Sequence, residues 1–352
     1  MGEKFRIGLT RDFLSAEGKL VFKDIGLDLL RVPGIEYEFF DQHFPEVKSW
    51  QIEGYDGVIS LAPRYSKESL KGVSRLAVIG RLGVGYEMVD LEACTEADVM
   101  VFISKGAVNR PVAEAIITLM LALSKRLFIK DRLTRTGRWS DKIHYMGNDI
   151  REKVLGSVGL GGIGSELFRL VKPFDMRRLL AHDPYAKKEH ASSLGVELVD
   201  LKTLLSQSDY VAINCPLTHE TKGLIGEREL SLMKPTAYLI NTARGGIVDQ
   251  SALTRVLEKG SIAGAALDVF EKEPIGPDDS LLKLDNVILT PHGIAWTDEL
   301  FRDNGTMDCQ GMLRVFRGEV PDHVVNVEVL KKDGLRKKLK RYKELYEKGG
   351  YE

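Results

Sequence analysis

Short apolar and β-branched runs alternate with helical patterns along almost the whole of this chain. A parallel strand that is covered by helices on both faces has such a run, because neither of its faces meets water. The alternation therefore predicts an α/β fold built from doubly wound parallel sheets. The predicted strands of the first third are Phe5–Leu9, Gly57–Leu61, Leu76–Ile79 and Val99–Ile103. A second series comprises Val154–Leu160, Arg178–His182, Glu197–Val199, Tyr210–Asn214, Ala237–Asn241, Gly264–Val269 and Val287–Leu289.

The domain organisation follows from the length and from the break between the two strand series. The 352 residues predict two domains, since one domain takes roughly 150 residues. We expect one domain at residues 109–292, inserted into a smaller one formed by residues 1–108 and 293–330. The helical segment Asp298–Arg317 has no strand partner of its own, so we expect it to cross back onto the first domain.

The last residues, 331–352, hold nine Lys or Arg against four Asp or Glu. Such an excess of positive charge predicts either a solvated, partly helical tail or a contact with an anionic partner. We favour the solvated tail, because charge runs are usually solvated.

Charge and composition exclude several classes of partner. The formal net charge is -1, so no overall field attracts nucleic acid or an anionic membrane. The most apolar stretch, Ala115–Leu123, is far shorter than the ~20 residues that span a bilayer. Three separated cysteines, Cys94, Cys215 and Cys309, form no CxxC pair, which indicates neither disulfides nor a metal site. The N-terminus lacks an apolar signal segment, so we expect a cytoplasmic protein.

A glycine-rich motif follows the first strand of the second series. Gly159, Gly161 and Gly164 form the pattern G-x-G-x-x-G between that strand and a helical segment. In this setting the glycines allow a tight turn, close approach of a pyrophosphate and close helix–sheet packing. Asp183 ends the next strand, where a carboxylate binds ribose hydroxyls and repels a 2'-phosphate. The motif therefore predicts a site for NAD, although Lys187 and Lys188 leave dual use with NADP open.

Three further polar residues follow predicted strands of the same series. Arg244, Glu273 and His292 lie in segments that begin at the ends of the strands Ala237–Asn241, Gly264–Val269 and Val287–Leu289. Carboxyl ends of parallel strands share one edge of a sheet, so these side chains should converge beside the dinucleotide. An Arg can bind a carboxylate, a His can transfer a proton near neutral pH, and a Glu can orient the imidazole. These are the groups that hydride transfer at a carbinol needs.

With these motifs the sequence resembles the NAD-dependent D-isomer-specific 2-hydroxyacid dehydrogenases, which include phosphoglycerate, D-lactate, glyoxylate and hydroxypyruvate enzymes. The resemblance runs from about Asp56 to Val327 and covers Gly80–Gly85, Val112–Glu114, Gly159–Gly164, Cys215–Thr218, the Arg244 segment, Leu267–Val269 and Pro291–His292. It implies a Rossmann-type NAD-binding domain inserted into a smaller flavodoxin-like substrate domain. It also implies that the chain transfers a hydride between nicotinamide C4 and C2 of a small D-2-hydroxy acid or 2-keto acid.

The same resemblance implies roles for individual residues. Arg244, Glu273 and His292 form the catalytic set, and Asp268 holds the nicotinamide carboxamide. Further cofactor contacts fall on Gly162, Ile163, Cys215, Pro216, Thr242 and Ala243. The backbone N–H groups of Val84 and Gly85 hold the substrate carboxylate.

Two positions depart from the family's usual pattern. Leu61 stands where phosphoglycerate-specific members carry an Arg, which argues against a phosphorylated substrate. Trp296 stands where a small hydroxyl residue is common, so an indole should reshape the substrate pocket. An alternative function remains open, because dehydrogenase-like corepressors keep the same motifs and sense NADH.

The helix that begins near Pro111 predicts association. It carries apolar residues on more faces than one sheet can cover, and an isologous contact between two copies would bury the surplus. We expect a homodimer with Ile116, Ile117, Met120 or Leu121 at or near the interface. The alternative is that residues 139–146 cover this helix within one chain.

Overall fold

The computed structural model describes residues 3–350, with Met1, Gly2, Tyr351 and Glu352 outside the described part. The chain divides into two compact units. Unit 1 consists of the residues up to Val108 and those from Trp296 onward, and unit 2 is Asn109–Ala295. In the described part no helix is long and apolar enough to cross a membrane.

Unit 1 contains a five-stranded parallel sheet with the order β2-β1-β3-β4-β5. Its strands are β1 (Phe5–Leu9), β2 (Ile35–Phe39), β3 (Gly57–Ser60), β4 (Val78–Arg81) and β5 (Met100–Ile103), and its first helices are α1 (Ser49–Ile52) and α2 (Leu91–Glu96). Every residue of β3 and β5 is buried, as expected for parallel strands covered on both faces. The sequence analysis missed β2, an edge strand in which polar residues alternate with apolar ones.

Unit 2 contains a seven-stranded parallel sheet with the order β12-β11-β10-β9-β6-β7-β8. The strands are β6 (Val154–Val158), β7 (Arg178–His182), β8 (Glu197–Leu198), β9 (Tyr210–Ile213), β10 (Tyr238–Asn241), β11 (Gly264–Leu267) and β12 (Val287–Leu289). The helices are α3 (Asn109–Lys125), α4 (Leu127–Arg135), α5 (Gly162–Val171), α6 (Lys188–Leu194), α7 (Leu201–Gln207), α8 (Glu227–Leu230) and α9 (Gln250–Glu258). The chain reverses its direction of winding between β6 and β9, and ligands of open parallel sheets bind at such a point. The predicted fold class is confirmed.

The chain returns to unit 1 through α10 (Asp298–Phe316), which Thr297 caps by accepting a hydrogen bond from the Leu300 N–H at 3.1 Å. Met312 and Phe316 of this helix are buried in one core with β1. Glycines on two strands allow the helix to come this close. A Cβ at Gly57 would lie 2.6 Å from the Met312 sulfur, and one at Gly80 would lie 3.2 Å from the Met312 methyl.

The C-terminal residues up to 350 are helical, as expected, but they pack on unit 1 rather than forming a free solvated tail. Residues Asp333–Gly349 form α11, whose Leu335 and Tyr342 are buried in the unit 1 core. The Tyr342 ring meets Phe5 of β1 edge to face, with ring centroids 4.9 Å apart. Lys338 donates hydrogen bonds to three backbone carbonyls, those of Leu76, Ala97 and Asp98. Burial lowers the pKa of Lys338 to about 8.

Candidate active site

The glycine-rich loop lies at the carboxyl end of β6 and leads directly into α5. Gly159 has a φ of +105°, and a Cβ there would lie 2.7 Å from the backbone of Asn214. A Cβ at Gly164 would lie 2.5 Å from the Gly159 carbonyl oxygen. By contrast, a Cβ at Gly161 would meet no protein atom within 4 Å. Gly159 and Gly164 therefore serve the fold itself, whereas Gly161 leaves open space beside a helix N-terminus, where N–H groups favour an anion.

Asp183 lies directly after β7 and is fixed against this loop. Its Oδ2 accepts a hydrogen bond from the Leu160 N–H at 2.8 Å, and its Oδ1 accepts one from the Tyr185 N–H at 2.9 Å. Each carboxylate oxygen can accept a further hydrogen bond. Lys187 and Lys188 are both exposed.

The ends of β9 and β10 bring Cys215, Pro216, Thr242 and Ala243 to the same edge of the sheet. Burial raises the pKa of the Cys215 thiol to about 11, so the thiol is protonated at neutral pH. The Thr242 hydroxyl oxygen is buried and has no hydrogen-bond partner among residues 3–350. An orphaned hydroxyl at the sheet edge that also carries the glycine loop fits a bound polar ligand, because buried polar groups are normally paired.

His292 and Glu273 form a hydrogen-bonded pair. The Nδ1 of His292 lies 2.7 Å from Glu273 Oε2, so this nitrogen donates to the carboxylate. Glu273 Oε1 accepts a second hydrogen bond from the Phe270 N–H at 3.0 Å. The backbone therefore fixes the carboxylate, and the carboxylate orients the imidazole. The other ring nitrogen, Nε2, makes no hydrogen bond within residues 3–350.

Arg244 lies three residues beyond the end of β10 and is partly buried. Its Nη1 donates a hydrogen bond to the Ala243 carbonyl at 2.7 Å, and its own carbonyl accepts one from the Asn241 side-chain amide at 3.0 Å. Asn241 also accepts the Ala243 N–H at 3.1 Å. The loop is thus folded around Asn241, whose role the sequence analysis did not anticipate.

Asp268 has a contact set that the sequence did not reveal. This carboxylate is buried at the end of β11. Its Oδ1 accepts hydrogen bonds from the Thr290 hydroxyl at 2.6 Å and from the N–H groups of Gly293 and Ile294 at 3.0 and 3.2 Å. These donors flank His292, which has a φ of +50°. Asp268 therefore stabilises the turn that presents the imidazole.

In unit 1 three of the remaining candidates follow strands of the five-stranded sheet, and the fourth, Trp296, directly precedes the Thr297 cap of α10. Val84 and Gly85 follow β4, and their N–H groups have no hydrogen-bond partner in the described part of the chain. Leu61 follows β3, and its N–H donates to the Thr10 hydroxyl at 3.2 Å. Trp296 is 58% exposed and packs edge on against Phe301. Between residues 3 and 350 no group of three or more His, Cys, Asp or Glu is arranged to hold a metal ion.

A Rossmann-type sheet with this glycine loop, Asp183 and the His–Glu pair defines a class, the NAD-binding oxidoreductases. The sequence pattern of the D-isomer specific 2-hydroxyacid dehydrogenase NAD binding domain matches residues 117–293. The chain belongs to the D-isomer specific 2-hydroxyacid dehydrogenase family. The predicted family, enzyme class and cofactor are thereby confirmed.

Two curated relatives and one solved structure illustrate the likeness. The chain is 39% identical over 285 residues to a glyoxylate reductase of Korarchaeum cryptofilum, covering 80% of this chain and 86% of that protein. It is 37% identical to a D-3-phosphoglycerate dehydrogenase of Archaeoglobus fulgidus, covering 86% of this chain but only 57% of that longer protein. The apo-structure of D-lactate dehydrogenase from Escherichia coli has a TM-score of 0.77 at 28% identity, covering 91% of this chain and all of that one.

Proposed function

We propose that this chain reduces a small unphosphorylated 2-keto acid, or oxidises the corresponding D-2-hydroxy acid, with NAD(H). The hydrogen-bonded pair of His292 and Glu273 on the sheet edge of the glycine loop carries this proposal. In the proposal residues 109–292 bind the nucleotide, and residues 1–108 with 293–330 bind the substrate.

His292 is the proposed general acid and base. In the reducing direction its Nε2 gives a proton to the carbonyl oxygen, while Glu273 orients the ring through Nδ1. The positive charge of Arg244 polarises the carbonyl and binds the substrate carboxylate. NADH supplies the hydride when it is bound.

The proposed cofactor site uses the loop and the ends of four other strands of the same sheet, β7, β9, β10 and β11. Gly161, Gly162 and Ile163 place backbone N–H groups at the pyrophosphate, while Gly159 and Gly164 shape the loop. Asp183 accepts the ribose hydroxyls. The remaining contacts, some of them to the nicotinamide ring, are assigned to Cys215, Pro216, Thr242, Ala243 and Asp268.

The substrate contacts proposed in unit 1 are apolar side chains and backbone N–H groups. Val84 and Gly85 offer two N–H groups to the substrate carboxylate. Leu61 places no charge near a phosphate, and Trp296 adds an aromatic surface together with Phe301. An acid without a phosphate, such as glyoxylate, therefore suits this site better than a phosphorylated one.

A substrate panel tests the proposed function. NADH consumption is measured with glyoxylate, hydroxypyruvate, pyruvate, branched 2-keto acids and phosphohydroxypyruvate, and the product is analysed on a chiral column. We expect turnover of an unphosphorylated acid to the D-isomer. Tight NADH binding without turnover of any compound would support an NADH-sensing role. A preference for phosphohydroxypyruvate would contradict the prediction that Leu61 disfavours a phosphorylated substrate.

We further propose that two copies associate through unit 2. Ile116 and Met120 are fully buried within the chain, so they do not lie on an interface as expected. Ile117 and Leu121 are only partly buried. The structure also leaves large apolar side chains exposed in the following segment, namely Leu127, Phe128, Trp139, Ile143 and Met146. Since most of residues 139–146 are themselves exposed, a second copy is the proposed cover for this surface.

Light scattering tests the association. Phe128→Glu should convert a dimer to a monomer, whereas Val21→Glu, at an equally exposed apolar residue of unit 1, should leave the mass unchanged. A wild-type protein that is monomeric at micromolar concentration contradicts the proposal.

A further inference from the structure

A buried polar cluster lies beneath the loop that follows β4. We call Arg81–Gly85 the anchor loop, because Val84 and Gly85 belong to it. Ser104, directly after β5, and Asp308, in the middle of α10, are both fully buried, with 0% exposure. The Ser104 hydroxyl donates a hydrogen bond to Asp308 Oδ1 at 2.8 Å.

Burying the Asp308 carboxyl group at this position costs free energy. A carboxyl group that leaves water loses its hydration, and the loss is only partly offset by hydrogen bonds and charge. Burial raises the pKa of Asp308 to about 7, although the Ser104 hydroxyl and the Arg81 charge act in the opposite direction. The second oxygen, Oδ2, has no hydrogen-bond partner in the described residues. Packing alone does not require this carboxyl, since the neighbouring core residues Cys309 and Met312 are apolar.

The hydroxyl of Ser104 has one hydrogen and several acceptors around it. The carbonyl oxygens of Asn304 and Arg81 lie at 3.3 and 3.4 Å, both farther than Asp308 Oδ1. Asp308 therefore takes the hydrogen and fixes the rotation of the hydroxyl. A lone pair of the Ser104 oxygen then accepts the Gly83 N–H at 3.4 Å.

Ser104 holds both peptide groups of Gly83. Its own N–H donates to the Gly83 carbonyl at 3.0 Å, in addition to the contact with the Gly83 N–H. Gly83 has a φ of +120°, which only glycine adopts readily. The next two N–H groups along the chain are those of Val84 and Gly85, so the conformation of Gly83 sets their direction.

We propose that Asp308 is a positioning residue that, through Ser104 and Gly83, aims the N–H groups of Val84 and Gly85 at the substrate carboxylate. This inference rests on the proposed function of these two N–H groups. The Arg81 guanidinium belongs to the same arrangement. A Cβ at Gly83 would lie 3.2 Å from Arg81 Nη1, so the guanidinium lies against the loop, and its charge acts against the effect of burial on the Asp308 pKa.

Steady-state kinetics of four variants test the role of Asp308. Asp308→Ala and Ser104→Ala should raise the KM for the 2-keto acid about 5- to 30-fold, the loss expected for a hydrogen bond to a charged group. The kcat should stay within about threefold, because His292 and Arg244 are untouched. Asp308→Asn should restore a KM close to wild type, since its amide oxygen accepts the same hydrogen from Ser104. Cys309→Ala, at the adjacent buried residue, controls for a general loss of packing.

Amide hydrogen exchange gives a readout that does not depend on turnover. The N–H groups of Gly83 and Ser104 should exchange faster in Asp308→Ala and Ser104→Ala than in wild type, Asp308→Asn or Cys309→Ala. Unchanged exchange and an unchanged KM in Asp308→Ala overturn the inference, as does an equal rise of KM in Cys309→Ala. If Asp308→Ala does not fold, Ser104→Ala and Asp308→Asn decide the matter. A wild-type enzyme inactive on every 2-keto acid refutes the proposed function, while the exchange result still decides whether Asp308 controls Gly83.

Discussion

The two units each place a glycine loop after an interior strand of the sheet, and the two loops are supported differently. The anchor loop follows β4 and turns at Gly83, while the unit 2 loop follows β6 and turns at Gly159, with φ values of +120° and +105°. The unit 2 loop runs straight into α5, which begins at Gly162. The anchor loop reaches no long helix. It is supported from below by the buried side chains of Ser104 and Asp308.

Under the proposed function, this difference corresponds to two ways of binding an anion with backbone N–H groups. A helix N-terminus offers several N–H groups and a dipole, which suits the two charges of a pyrophosphate. Two isolated N–H groups suit a single carboxylate, provided that something fixes their direction. In the anchor loop the support comes from side chains that are distant in sequence.

The largest expected effect concerns the side chains of unit 2 rather than either loop. His292→Ala should lower kcat about 10²- to 10⁴-fold, because general acid catalysis is lost. NADH affinity and the substrate KM should change little, since both loops remain intact. His190→Ala, at an exposed histidine of α6, serves as the control. A variant within tenfold of wild type would show that the chemistry lies elsewhere.

The second effect tests the anchor loop alone. Gly83→Ala imposes a side chain at a φ of +120° and 3.2 Å from Arg81, a strain of about 1–3 kcal/mol. We expect the KM for the 2-keto acid to rise roughly tenfold to a hundredfold, with NADH affinity unchanged. Gly72→Ala is the control, because Gly72 also has a positive φ, +77°, but open space around it. If Gly72→Ala raises the KM equally, backbone strain in unit 1 is the cause rather than the anchor loop.

The third effect tests the unit 2 loop alone. Gly161→Ala meets no protein atom within 4 Å and keeps an ordinary φ of -73°, so the melting temperature should not change. The methyl group should still hinder the pyrophosphate and weaken NADH binding about tenfold. Fluorescence titration measures the affinity, and Gly276→Ala, at another open position, is the control. Unaltered NADH affinity would place the pyrophosphate away from Gly161.

The smallest effect concerns the choice between cofactors. Wild-type enzyme should bind NADPH at least about tenfold more weakly than NADH, because the Asp183 carboxylate repels the 2'-phosphate. Asp183→Asn keeps an acceptor for the Leu160 N–H and removes the charge, so NADPH binding should improve about threefold to tenfold. Titrations at fixed ionic strength measure both affinities. If the wild-type enzyme binds NADH and NADPH equally well but Lys187→Ala binds NADPH more weakly, then Lys187 offsets the repulsion between Asp183 and the 2'-phosphate.

Much of this arrangement could be predicted because periodicity and strand ends are local signals. The bounds of β1, β7 and β12 match the predicted strands, and the Gly159 motif stands where the sequence predicts a turn between a strand and a helix. The same logic identified Arg244, Glu273 and His292 as neighbours on one sheet edge, and the structure pairs the last two. Their catalytic roles remain predictions.

Other features were not predicted, either because high charge obscured the apolar spacing of a helix or because a contact joins residues far apart in the sequence. The tail was judged by its Lys and Arg content, although Leu335, Leu339, Tyr342 and Tyr346 recur at helical spacing and pack on the unit 1 core. Ser104 and Asp308 are 204 residues apart, and no local pattern announces their contact. For Asp268, the sequence indicated the position but not the backbone donors around His292.

Unit 1 is formed by two separate segments of the chain, and this affects the order in which the protein folds during synthesis. Its core joins Phe5 and Ile7 near the start of the chain to Met312, Phe316 and Tyr342 near the end. All of unit 2 lies between these parts and is one uninterrupted segment. Since domains fold as units from the N-terminal side as the ribosome advances, unit 2 can complete its core first. The five-stranded sheet must wait for α10 and α11, and its apolar face stays open to chaperones until they emerge.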